Sequence, residues 1–115
     1  MTDTSSNNAA IHPRNIRMVI EYDGTNYVGW QFQINGVSVQ ETLETALATA
    51  LGHSVRVLAA GRTDAGVHAK GQVVNFFTNS HLPTRAILVQ TLRRLPEDIA
   101  IVSVDDVPFD FNARC

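Results

Sequence analysis

A single cysteine, Cys115, sits at the last position of this 115-residue chain, which excludes an internal disulfide and a thiolate metal site. The four histidines, His12, His53, His68 and His81, form no i, i+4 pair and have no carboxylate at ligand spacing, so no metal is expected. No run approaches the roughly 18 consecutive apolar residues of a membrane span, and no basic start leads into a hydrophobic stretch. A cytoplasmic protein with no membrane association is therefore expected. Neither familiar glycine-rich phosphate loop occurs, which removes the usual nucleotide site, and no cofactor of any kind is expected. Positive charge is also scarce: the net charge is −2, whereas phosphate contacts need clustered Lys and Arg. The only adjacent basic pair, Arg93-Arg94, reads as a cap on the negative end of a helix.

What remains is an ordinary globular composition, 44% hydrophobic and 17% charged, enough for one core that hides roughly two-thirds of the unfolded surface. Residues 1–15 are rich in Ser, Thr and Asn without apolar periodicity, and are expected to form a flexible tail. Ile16 to Tyr22 alternates as a strand, with Met18 and Ile20 on one side and Arg17, Val19 and Glu21 on the other. Ser38 and Glu41 form a capping-box pattern ahead of a helical stripe of Val39, Leu43, Ala46, Leu47, Ala50 and Leu51, which Gly52 stops. Val55–Ala60 and Gln72–Phe77 read as strands. Pro83-Thr84 opens a second helix carrying Ile87, Leu88, Thr91, Leu92 and Leu95 on one face, and Ile99–Val104 is a fourth strand. The order β-α-β-β-α-β predicts an α+β, ferredoxin-like (split β-α-β) domain over 16–107. Its four-stranded antiparallel sheet carries two helices on one face and leaves the other free. Residues 108–115 are expected to begin a connection to a further, C-terminal domain.

Between the second and third strands lies Gly61-Arg62-Thr63-Asp64-Ala65-Gly66-Val67-His68. A carboxylate between glycines, on a loop held by a sheet, has two readings. Asp64 either bonds its own turn's backbone or is a functional group presented by a rigid scaffold. Arg62, two residues away, is placed to orient Asp64 or a phosphate. His68 suits proton transfer, but a structural hydrogen bond is the favoured role. Tyr22 and Trp30 read as packing residues rather than base-stacking platforms. Of Phe76 and Phe77, only one belongs to the core.

The same loop resembles the signature of the TruA family of tRNA pseudouridine synthases. Tyr22-Asp23-Gly24-Thr25 with Tyr27, Gly29-Trp30-Gln31, Val39-Gln40, Glu44 and Phe111-Asn112-Ala113-Arg114 resemble further segments of that family, in its order. The resemblance implies an isomerase that converts uridine to pseudouridine in the tRNA anticodon stem-loop, a homodimer, and Asp64 as the essential carboxylate. Arg62, Thr63, Gly66 and His68 are the accompanying substrate-binding candidates. The reaction breaks the N1–C1′ bond and remakes it through C5 with no net redox change, so a nucleophile suffices in principle, and the target base must be flipped out of its stack. The competing expectation is a non-catalytic RNA-binding or structural ferredoxin-like domain. Such an RNA-binding module would carry an aromatic, basic strand motif, which Gln72–Phe77 lacks. The 115 residues alone are expected to be inactive.

Overall fold

The computed structural model describes residues 14–115. The expected tail falls mostly outside them, but its last two residues, Arg14 and Asn15, already belong to the first strand. The elements are β1 (Arg14–Tyr22), a 3₁₀ turn (Gly24–Asn26), α1 (Val39–Leu51), β2 (Leu58–Ala59), β3 (Ala69–Thr78), α2 (Thr84–Leu92) and β4 (Ile99–Val107). They form one sheet in the order β2-β3-β1-β4, with every pair antiparallel. This is the expected split β-α-β arrangement.

Period-2 alternation puts Ile16, Met18, Ile20 and Tyr22 of β1 on the helix side with Val74 and Phe76 of β3, where Leu43 and Leu47 of α1 and Ile87 of α2 join the same buried cluster. Phe76 is fully buried, while Phe77 points to the opposite face and meets Phe109 with ring centroids 5.1 Å apart. In β4 the register against β1 shifts between Val19 and Ile20. The extra residue, Val102, is thrown outward and 55% exposed, so Ile99, Ile101 and Val104 all reach the core despite their uneven spacing.

α1 starts where predicted. The Ser38 hydroxyl accepts the Glu41 N–H at 3.0 Å, and the N–H groups of Val39 and Gln40 go to the carbonyls of Gly29 and Trp30. Gly52, at φ +82°, ends it by donating to the Ala48 carbonyl. α2 departs from its expected stripe: Ile87 and Thr91 are buried, whereas Leu92 is 40% exposed. Its last turn is capped as anticipated, by the Arg94 guanidinium on the Gln90 carbonyl at 2.7 Å. β2 is shorter than the six-residue run predicted, because the Val57 N–H is taken by the Glu44 carboxylate of α1 at 2.8 Å rather than by a strand.

The face opposite the helices is not left free. Asn15 and Asn75, both buried there, bind each other at 2.9 Å. The Asn15 amide donates to the carbonyls of Pro108 and Phe111, and Asn75 Oδ1 accepts the Ala113 N–H at 2.9 Å. Residues 108–113 are thereby held against the sheet, and Ala113 is buried.

Candidate active site

The loop from Gly61 to His68 joins β2 to β3 and is fastened along both margins. On one margin, the Trp30 N–H donates to the Thr63 carbonyl at 3.0 Å and the Gly66 N–H to the Tyr27 carbonyl at 3.2 Å. The Tyr22 and Thr63 hydroxyls are 2.7 Å apart, and the Gly24 N–H donates to His68 Nδ1 at 2.9 Å. On the other margin, the Gln72 amide donates to the Gly61 carbonyl at 2.7 Å. Two glycines permit this closeness. A Cβ on Gly24 would lie 1.9 Å from the Val67 oxygen, and one on Gly29, whose φ is +110°, would lie 2.6 Å from the Thr63 oxygen.

The turn at the loop's tip is made by main chain: the Val67 N–H closes onto the Asp64 carbonyl at 3.1 Å, with Gly66 at φ +79°. Asp64 itself is exposed, and among the described residues its carboxylate has no hydrogen bond or ion pair. Of the two readings of this residue, turn formation uses its carbonyl and leaves the carboxylate unengaged. Among the described residues no direct ion pair joins Arg62 to Asp64. Arg62 instead lines a groove of about 500 Å³ together with Trp30, Phe32, Arg56, Leu58 and Arg114. No guanidinium among Arg56, Arg62 and Arg114 has a partner among the described residues. The one carboxylate in that groove, Glu44, is engaged by the Val57 N–H and the Gln40 amide. A chain of negative total charge thus carries a locally positive groove.

The other marked residues divide cleanly. Thr63 has its hydroxyl tied to Tyr22, Gly66 supplies the left-handed turn, and His68 is exposed with Nδ1 against Gly24. Tyr22 and Trp30 are 4% and 3% exposed and stack on each other at 6.4 Å, so both are packing residues. Asp23 ends β1 and caps the 3₁₀ turn, accepting the Thr25 hydroxyl at 2.6 Å and its N–H at 3.0 Å. Those two bonds, with a smaller contribution from the nearby His68 ring, hold its carboxyl below the usual range. Tyr27 donates to Asp98 at 2.5 Å. Burial first, then that bond and the negative charge behind it, push the Tyr27 phenol well above its ordinary value. Among the described residues, which do not include His12, no three His, Cys, Asp or Glu side chains gather closely enough to hold a metal ion. No helix there is long and apolar enough to cross a membrane.

Sequence reasoning missed Arg56 and Arg114. The alternation of Arg56 with Val55 and Val57 marks it as outward-facing, and that signal was available. Arg114 lies 52 residues beyond Arg62 and reaches the groove only because the Asn15/Asn75 pair folds its segment back, which no local pattern reveals.

The family model for tRNA pseudouridine synthase matches residues 18–114, nearly the whole described chain. The chain belongs to the tRNA pseudouridine synthase family. Among its synthase relatives, tRNA pseudouridine synthase A of Geotalea daltonii and that of Geobacter sulfurreducens are each 52% identical over 101 residues, and that of Clostridium kluyveri is 50% identical over the same length. Each alignment covers 88% of this chain and 41% of the relative, so the chain spans about two-fifths of the length of these synthases.

Proposed function

We propose that this chain is the aspartate-bearing domain of a tRNA pseudouridine synthase, isomerising uridine in the anticodon stem-loop, with Asp64 as the essential carboxylate. One observation carries the reading: among the described residues the Asp64 carboxylate has no partner, yet it belongs to a loop whose backbone is pinned on both margins. A carboxylate needed only for folding would be spent on the fold. A positioned and unspent one is what covalent or proton-transfer chemistry at a nucleoside requires. Arg56, Arg62 and Arg114 supply the positive groove that a phosphate backbone follows, and Arg62 links that groove to the loop.

In this reading the uridine is flipped out of the stem and brought to Asp64. The N1–C1′ bond breaks, the uracil turns, and a C5–C1′ bond forms; C5 gives up its proton and N1 takes one, so the product is an isomer of the substrate. The enzyme works in the cytoplasm as a homodimer. The 115 residues alone do not turn over tRNA, because an exposed Asp64 remains hydrated and is a weak nucleophile.

Asp64→Asn in the full-length protein tests the proposal. Pseudouridine formation on unmodified tRNA is expected to fall to background, while stability stays within about 0.5 kcal/mol, as is usual for a surface change. Turnover near that of the unmodified protein would remove Asp64 from the chemistry, and loss of folding would make it a structural residue.

A further inference from the structure

We propose that His68 is a positioning residue for the Asp64 loop: its unprotonated Nδ1 accepts the Gly24 N–H in a single tautomer, and a proton on Nδ1 transfers the ring from Gly24 to the Asp23 carboxylate. The significance for catalysis rests on the synthase reading above; the fastening itself does not.

The geometry offers one ring nitrogen two incompatible partners. His68 Nδ1 is 2.9 Å from the Gly24 nitrogen and 3.1 Å from Asp23 Oδ1. An imidazole nitrogen carries either a lone pair or a hydrogen in the ring plane. With a lone pair, Nδ1 takes the Gly24 N–H, and the ring proton sits on Nε2. With a hydrogen, Nδ1 and the Gly24 N–H become two donors facing each other, and the adjacent carboxylate is the acceptor in reach. Asp23 Oδ1 already receives the Thr25 N–H and hydroxyl, so it stands ionised and fixed in place for that exchange.

The consequence reaches Asp64 because this joint has little slack. Gly24 packs directly on the Val67 carbonyl, so closely that no Cβ fits between them, and Val67 is bonded through its N–H to the Asp64 carbonyl. A ring that leaves Gly24 therefore loosens the contact one residue away that sets the loop's height over β1. The groove that His68 lines also carries charged groups from the segments around it: Glu21 at the end of β1, Asp23 in the turn, Lys70 at the start of β3, and Glu97 and Asp98 before β4. Asp98 is occupied by the Tyr27 hydroxyl, whereas both Thr25 bonds to Asp23 end on Oδ1 and its Oδ2 has no partner among the described residues. The ring and the Asp23 side chain are both about 60% solvent-exposed, at 62% and 61%, so protons have access without any opening of the fold.

Nitrogen-15 NMR of the imidazole, together with amide hydrogen exchange of the 115-residue chain, tests this. At about pH 8 the ring should show a hydrogen on Nε2 only, and the Gly24 amide should be protected. At the lower pH at which the same spectra report a second ring hydrogen, on Nδ1, Gly24 protection should fall by about fivefold or more after correction for the intrinsic pH dependence of exchange, the effect of losing one hydrogen bond. His68→Asn places a carbonyl oxygen where Nδ1 stood and should keep Gly24 protected at both pH values. His68→Gln, whose oxygen lies farther out, should leave it unprotected at both. A hydrogen on Nδ1 at pH 8, or Gly24 protection that is the same at both pH values, overturns the proposal. So does equal protection in His68→Asn and His68→Gln. In the full-length protein the acid limb of kcat on tRNA should flatten in His68→Asn. Spectra that behave as described in a protein inactive on tRNA at every pH would refute the synthase reading and leave the fastening intact.

Discussion

Gly24→Ala places one methyl group in the joint between the first turn and the Asp64 loop, and the structure fixes what must follow. The new Cβ would stand 1.9 Å from the Val67 oxygen and 2.6 Å from its carbonyl carbon, where contacts under 3.0 Å are essentially never seen. Both obstacles are backbone, so no side chain can turn aside, and the two segments must separate by about 1 Å. Overpacking of this kind costs about 1–3 kcal/mol, and loss of the Gly24 N–H bond to His68 adds about 1 kcal/mol. The expected destabilisation is about 2–4 kcal/mol, read as a lower urea midpoint at an unchanged denaturant slope. Because the loop moves as a unit, Asp64 moves with it, and a displacement of about 1 Å can lower turnover roughly 100-fold. Gly71→Ala is the control, since a Cβ there meets nothing within 4 Å; it should stay within about 0.5 kcal/mol of the parent. If Gly24→Ala matches that control in both urea midpoint and pseudouridine formation in the full-length protein, the loop is not positioned by this contact.

Two further perturbations probe the parts that surround the loop. Asn75→Ala strands the Ala113 N–H and Asn15 Oδ1, both in buried surroundings, and should destabilise by roughly 2–6 kcal/mol at about 1–3 per orphaned group; a loss below 1 kcal/mol by urea unfolding would show that water replaces it freely. Tyr27→Phe removes a phenol whose folded pKa is raised. The stability that phenol contributes is complete below the ordinary tyrosine value of about 10 and is lost as pH rises beyond it, while the unfolded chain ionises. Unfolding at about pH 9 and pH 11 should therefore show the parent losing its advantage over the Phe variant at the higher pH, and a constant gap would contradict the burial of that hydroxyl.

The parts of the fold legible in the sequence were those built from local chemistry. Ser38 and Gly52 bracket α1 because a hydroxyl cap and a left-handed glycine are properties of single residues. The inward face of β1 follows from strict alternation. β4 could not be read to the same depth, because the Val102 bulge changes which residues face the core, and that shift is set by pairing with β1. The loop stood out in the sequence as a candidate, but not the disposition of Arg62, which lines a groove completed by Arg56 and by Arg114 from a distant segment. Asn15 and Asn75 look like outward polar positions on their strands. Only the return of residues 108–113 over that face makes them interior.

That return has a kinetic meaning. Asn15 and Asn75 are 60 residues apart in the chain, and neither can hold residues 108–113 until β1 and β3 lie side by side. The segment is therefore expected to be captured late in folding, after the long-range pairing of β1 and β3. By the same logic it is released early when the molecule opens from the native state. Because the asparagines bind carbonyls and an N–H rather than side chains, they dictate the path of this stretch while leaving most of its side chains free to change. The amide of Ala113 thus serves as a timer for the molecule: its protection from exchange begins when the central strand pair has closed.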